Sequence, residues 1–352
     1  MLLQNLLRAS SGAREAYEER VMVGIRDVAE AAGVSVSTVS QVVTGRRPVA
    51  AATRARVEAA ITRLGYSAHP GAVQLRGGRT GTIALIVPTL ENPFYPLVAV
   101  GMQDVLVPRN ILLTVTDASG MDRSASAIHR LLSRRVDAMV AAPFGLPESS
   151  LAELHDAGIP FVSLGKAPPG GGDFVHTDDV SGARAVTTHL IERGRRRIAF
   201  LGGEESVVPT QQRLEGYQAA LRAAGLPERG DDVVFEEYTR EGGRKGAATL
   251  LDRPDRADRP DAIVAANDLI ALGVLDVTRA RGLRVPDDVA VTGYDDIDAA
   301  SLVSPPLTTI ENPAREIGRA CARLLLERLD GMVTDVARTV ALSTRLIVRD
   351  SS

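Results

Sequence analysis

A single cysteine in 352 residues, Cys321, excludes a disulfide framework and a cysteine-rich zinc site. Its surroundings, GRACARLLLERL, read as an amphipathic helix that would bury the thiol. The five histidines show no metal-ligand spacing, and no HExxH occurs. No apolar run approaches the length needed to span a bilayer. The opening MLLQNLLRASSGAREAYEER holds a short apolar stretch followed by charges of both signs. It lacks the basic start, apolar middle and small-residue cleavage site of a secretory signal, so a cytoplasmic location is expected. TIALIVPTLENP follows Gly81 without G-x-G-x-x-G, and neither GxxxxGK[ST] nor GxSxG is present. Catalysis is therefore not expected, nor is any metal or cofactor.

What is present divides unevenly by charge. Residues 22–80 carry eight arginines against three acidic side chains, while the whole chain has a net charge of -3. The first 21 residues are balanced, so the remainder after residue 80 is acidic. A basic head on an acidic body suits a DNA-binding module joined to a small-molecule sensor. The chain is long enough for two or three domains, and its 45% hydrophobic content is that of a soluble globular protein.

The head holds two short helical patterns and a third helix within IRDVAEAAGVSVSTVSQVVTGRRPVAAATRARVEAAITRLGYSAHPGAVQ, residues 25–74. Val28, Ala29 and Ala32 share one face of the first helix; Val39, Val42 and Val43 share one face of the second. Gly33 supplies the turn, and Ser35 caps the second helix with Thr38 at its third position. Packing of the valine face leaves Val36, Ser37, Thr38, Ser40 and Gln41 on the other, all able to meet a base edge or a phosphate. This is the pattern of a helix-turn-helix with its recognition helix.

The same block resembles the DNA-binding domain of the lactose-repressor (LacI/GalR) family of transcriptional regulators. IRDVAEAAGVSVSTVSQVV is similar to that family's opening helices, and TRARVEAAITRLGY to its third helix and following tyrosine. ENPFYPLV, VDAMVAAP, GIPFVSLG, GRRRIAFLGG, RLEGYQAAL, AIVAANDLIALGVL, VPDDVAVTGYDD and PPLTTIENP resemble the family's effector-binding core in order and spacing. Four segments are expected: a disordered, dispensable extension over 1–21, the helix-turn-helix over 22–67, a hinge over 68–80, and an effector-binding and dimerisation domain over 81–352.

In that last domain, TIALIVP, ILLTVTDA, DAMVAAP, IPFVSLG, RIAFLGG, DVVFEEY, DAIVAAN and DVAVTGYD read as buried strands. Helical stretches such as DRSASAIHRLLSRRV and VSGARAVTTHLIERG alternate with them, which predicts doubly wound parallel sheets. RTGTIALIVP and RRRIAFLGG open two similar lobes with a cleft at the strand carboxyl ends. The resemblance implies a two-lobed, periplasmic-binding-protein-like α/β fold with three crossings. One lobe is expected over 81–193 with 293–318, the other over 194–292 with 319–349.

By the resemblance, Val36, Ser37 and Gln41 meet bases; glutamine can pair bidentately with adenine and valine can pack on a thymine methyl. Thr38, Arg46, Thr53 and Arg54 are expected on phosphates. AHPGAVQLR matches the family's hinge helix, with Leu75 as the residue that wedges into the minor groove. Here His69-Pro70-Gly71 replaces better helix formers, and Gly71 weakens a helix by ~1 kcal/mol, so this hinge is expected to order late or weakly. In the sensor, Arg213, Asn267, Asp268 and Asp295 match effector-binding positions, and Phe94 and Tyr95 an aromatic wall. Asp179 and Asp296 read instead as turn or strand-end residues. The expected partners are a pseudo-palindromic operator in double-stranded DNA, a small effector of the sugar class, and a second copy of the chain. Control by a nucleobase or by a protein co-regulator stands as the alternative.

Overall fold

The computed structural model describes residues 23–44, 47–66, 79–119, 121–142, 153–154, 156–165, 167–168, 171–333 and 336–352. The extension 1–21, Arg46 and Leu75 lie outside the described residues, as does most of the hinge segment 68–80. The chain divides into two compact units, residues 1–80 and 81–352.

The first unit holds α1 (Ile25–Ala32), α2 (Val36–Thr44) and α3 (Ala51–Leu64). Gly33 ends α1 with φ 62°, a left-handed turn that a side chain would disfavour. Ser35 Oγ accepts from Thr38 N at 3.1 Å, so the expected cap of α2 is in place. Val28, Ala29, Ala32, Val39, Val42, Val57 and Ala60 form the core, where α1, α2 and α3 meet. Val43 corrects the expected face: it is 37% exposed. The packed stripe on α2 runs through Val36, Val39 and Val42 at three-residue steps, and Val43 falls at its edge.

The second unit contains two sheets. In chain order its elements are β1 (Thr82–Val87), α4 (Phe94–Leu106), β2 (Leu112–Asp117), α5 (Met121–Ser133), β3 (Ala138–Ala141), β4 (Phe161–Leu164), β5 (Asp173–Thr177) and α6 (Asp179–Glu192). Then follow β6 (Ile198–Gly202), α7 (Val208–Ala223), β7 (Val233–Phe235), α8 (Arg240–Leu251), β8 (Ala262–Ala265), α9 (Asp268–Ala280), β9 (Ala290–Asp295) and α10 (Asp298–Leu302). The chain closes with β10 (Thr308–Glu311), α11 (Ala314–Leu329), β11 (Thr339–Leu342) and β12 (Arg345–Ile347).

One sheet has the order β11-β5-β4-β3-β1-β2 and the other β12-β10-β9-β8-β6-β7. Pairing is parallel throughout except between β10 and β12. Strand β1 shows why such runs lack alternation. Ile83, Leu85 and Val87 pack under α4 and α11, while Ala84 and Ile86 pack on the opposite face beside α5.

The lobe boundaries differ from those expected. Helix α6 packs on α7 in the second lobe, and β10 pairs with β9 there, Thr309 opposite Gly293. Residues 293–311 are therefore no return to the first lobe. Helix α11 is, burying Ile317, Cys321 and Leu325 with α4, and β11 joins β5. The chain crosses between lobes at 178, at 312–313 and at 343–344, between one element and the next. The expected cuts fell at the end of α6, within β9 and within α11, whereas the crossings sit just past strand ends.

Helices α4 and α11 touch through two glycines. A Cβ on Gly101 would lie 2.0 Å from the Arg315 carbonyl, and one on Gly318 would lie 2.0 Å from the Val98 carbonyl. Backbone cannot yield as a flexible side chain does, so Gly101→Ala is expected to destabilise the second unit by about 1–3 kcal/mol through overpacking. Denaturant unfolding checks this; an unchanged midpoint would mean that the helices separate freely.

Candidate functional sites: a helix-turn-helix and an interlobe cleft

On α2, Ser37 is exposed, while Val36, Thr38, Ser40 and Gln41 are half-buried. Val36 leans on the three-helix core, so its reach outward is shorter than a free valine's. The Thr38 hydroxyl lies 2.9 Å from Ser35 Oγ and helps close the cap. Thr53 and Arg54 sit half-buried in the first turn of α3, with Arg54 3.9 Å from Glu58 one helical turn on.

The second site follows from parallel topology, which gathers strand carboxyl ends on one edge of each sheet. Between the lobes lies a cavity of about 760 Å³. Residues just past β1, β2, β6, β7, β8 and β10 line it, among them Asn92, Ser119, Glu204, Tyr238, Asn267 and Asn312.

Phe94, Tyr95, Arg213, Asn267 and Asp295 all line this cavity. Phe94 and Tyr95 open α4 as an edge-to-face pair with centroids 5.2 Å apart. Arg213, on α7, is buried: its Nε donates to Asp179 Oδ1 at 2.7 Å and its Nη1 to the Ala266 carbonyl at 2.6 Å. The guanidinium also lies over the Tyr294 ring, 3.7 Å from the centroid. Burial works against its charge, but the Asp179 carboxylate more than compensates, so Arg213 holds its proton more firmly than a free guanidinium. Asp179 is thus the positioning partner of Arg213 and part of the cavity wall, where a simple turn residue was expected; the α6 cap is Asp178. Asp296 is a turn residue, with φ 53°, and accepts from Arg349 Nη2 at 2.6 Å.

Asp295 ends β9 with φ 107°, a strained conformation for a residue with a side chain. Its Oδ1 accepts from Asn312 Nδ2 at 3.1 Å and its Oδ2 from Asn92 Nδ2 at 3.4 Å, the latter from the opposite lobe. Burial raises its pKa above the ordinary carboxylate value. Asn267 caps α9, its Oδ1 accepting from Ile270 N at 2.9 Å. That leaves Asn267 Nδ2 buried with no hydrogen-bond partner, and Asn312 Oδ1 is in the same condition.

Asp268 does not reach the cavity. Fully buried, it accepts from Thr309 Oγ1 at 2.6 Å and from Ile297 N at 2.8 Å, tying α9 to β10 and to the loop after β9. Asn267 is the extended N-cap, with φ -149° and ψ 175°, whereas Asp268 is the first helical residue, so the two neighbours are held in different backbone conformations.

Sequence reading missed Asn92, His176, Tyr238 and Asn312 as cavity residues. Tyr238 bonds Thr210 through its hydroxyl at 2.8 Å, and burial lifts its pKa to about 12. A strand-end position was the available signal for all four; it needs strand boundaries finer than runs of valine give.

Comparison with known proteins decides what these sites belong to. Residues 24–69 match the model of bacterial regulatory proteins of the lacI family, and residues 187–352 match a periplasmic binding protein-like domain. The chain belongs to the lacI family. It is 37% identical over 343 residues to the HTH-type transcriptional regulator CelR of Thermobifida fusca, covering 95% of this chain and 99% of the relative. The solved complex of the regulator CelR with cellobiose matches with a TM-score of 0.70 at 35% identity, covering 94% of this chain and 100% of that one. The lac repressor dimer bound to operator and the anti-inducer ONPF matches with a TM-score of 0.81 at 28% identity, covering 94% and 98%. This lacI-family chain is a DNA-binding transcriptional regulator and not an enzyme. Among its described residues no helix is long and apolar enough to cross a membrane.

Asp268 supplies a test of the packing behind the site. Burial, then the nearby Asp295 charge, raises its pKa well above the usual value. An unfolded aspartate ionises near ~3.9, so keeping Asp268 buried weakens the fold above that pH and has no such effect below it. Asp268→Asn preserves both hydrogen bonds, since the amide can donate to Thr309 Oγ1 and accept from Ile297 N. It is expected to raise the melting temperature at neutral pH, with the gain vanishing below pH ~3.9. A loss at neutral pH would show that the charge itself is needed.

Proposed function

We propose that the chain is a cytoplasmic repressor whose operator affinity is set by a small sugar bound between the lobes. The observation that carries the effector reading is the pair of orphaned groups, Asn267 Nδ2 and Asn312 Oδ1, both buried in the cavity wall. A buried donor and a buried acceptor without partners are costly unless a ligand supplies them, and a hydroxyl supplies both functions in one group. Asp295 adds a carboxylate, Arg213 a fixed cation, and Phe94 with Tyr95 an apolar face for ring C–H groups. The cellobiose held by the related CelR is of the same class.

Operator reading belongs to Val36, Ser37 and Gln41, with Thr38, Arg46, Thr53 and Arg54 on phosphates and Leu75 wedging the minor groove. Two copies related by a two-fold axis, as in the lac repressor dimer, would address a pseudo-palindrome of about 14–20 base pairs. Asp295 ties the second lobe to Asn92 of the first, so a ligand that engages it acts on lobe closure and, through it, on the spacing of the paired DNA-binding heads.

Two substitutions separate the halves of this reading. Gln41→Ala is expected to weaken a selected operator by about 1–3 kcal/mol per lost base pair contact, leaving random DNA unaffected. Unchanged affinity and base preference would remove Gln41 from the readers. Asp295→Ala is expected to abolish the sugar response in a DNA-binding assay while operator affinity stays that of the ligand-free protein. A wild-type response from this variant would contradict the assignment.

A further inference from the structure

Within the cleft, floor and rim differ in exposure and in charge. The floor residues Asn92, Arg213, Asn267, Asp295 and Asn312 are all under a tenth exposed, and two of them carry the orphaned groups. The rim residues Glu91, Glu204, Glu237 and Arg240 are exposed. Size is the first constraint. A pyranose ring takes roughly the room of six waters, ~180 Å³ at ~30 Å³ each. One ring on the floor would leave most of the 760 Å³ to solvent.

Charge is the second. Six carboxylates line the cavity (Glu91, Asp117, Asp179, Glu204, Glu237 and Asp295), against the two arginines Arg213 and Arg240 among the described residues. Both arginines are already paired. Arg213 meets Asp179, and Arg240 holds Asp276 through two hydrogen bonds of 2.7 and 2.6 Å. An anionic ligand would therefore face carboxylates on the rim and find each of these guanidinium groups already facing a carboxylate.

Resting on the saccharide reading above, we propose that the effector is an uncharged saccharide of at least two rings. One ring sits on the polar floor, and the next lies along the rim, where Glu204 and Glu237 accept hydrogen bonds from its hydroxyls. Phosphorylated and acidic sugars are excluded by the carboxylate lining.

The test is calorimetry and thermal shift on the full chain. The probes are neutral disaccharides (cellobiose, lactose, maltose), their constituent monosaccharides, glucose 6-phosphate, and a set of nucleobases and nucleosides. At least one disaccharide is expected to bind roughly tenfold or more tightly than either of its rings alone, through the added rim contacts. Glucose 6-phosphate is expected to bind more weakly than glucose. The double variant Glu204→Gln, Glu237→Gln is expected to weaken the disaccharide while leaving monosaccharide affinity unchanged, a split that general damage to the fold would not produce. A monosaccharide binding as tightly as every disaccharide that contains it overturns the size argument, and glucose 6-phosphate matching glucose overturns the charge argument. Binding of a nucleobase or nucleoside with no saccharide binding at all removes the saccharide reading itself, a pattern distinct from the other two.

Discussion

A guanidinium taken out of water must be met on every side, and the second unit's cleft is arranged around that demand at Arg213. Asp179 from α6, the Ala266 carbonyl after β8 and the Tyr294 ring from β9 each meet one part of it. Three elements far apart in sequence are thereby fixed relative to one another. Breaking such a buried pair by removing one partner costs on the order of 3–5 kcal/mol, because the other charge is left stranded. The cavity's polar groups inherit their positions from this frame: Asn267 lies one residue beyond Ala266, and Asp295 one beyond Tyr294.

The frame also explains how a ligand could be felt at a distance. Arg213 and Asp295 both belong to the second lobe, while Asn92, Phe94 and Tyr95 belong to the first. A ligand on the floor bridges the lobes only by touching both sets. The chain crosses between lobes at three points, and one of them, Asn312, is itself bonded to Asp295. The backbone strain at Asp295 fits a residue aimed by its surroundings more than by its own conformational preference.

Much of this was legible in the residues. Apolar runs such as TIALIV and AIVA appear as strands because buried parallel strands are apolar on both faces. Strand β5 was missed because DFVHT alternates, with Phe174 and His176 only half-buried, and β11 and β12 were missed because edge strands need little apolar surface. The same blindness misplaced the lobe boundaries, since the crossings follow β5, β10 and β11. Arg213 was identified through its motif, but its partner Asp179 lies 34 residues away, and only the packing of α6 on α7 brings them together. Asp268 shows the limit of motif matching: adjacent to Asn267 in sequence, it faces the interior of the lobe, away from the ligand space.

The central claim is that occupancy of the cleft and operator binding are thermodynamically linked. The most direct measurement is a reciprocal titration of the full chain: operator affinity with and without a saturating saccharide, and saccharide affinity with and without operator. Linkage requires both ratios to be the same factor, expected at about 5–150-fold. Operator affinity that does not move when the cleft is saturated would contradict the account, however tightly the saccharide binds.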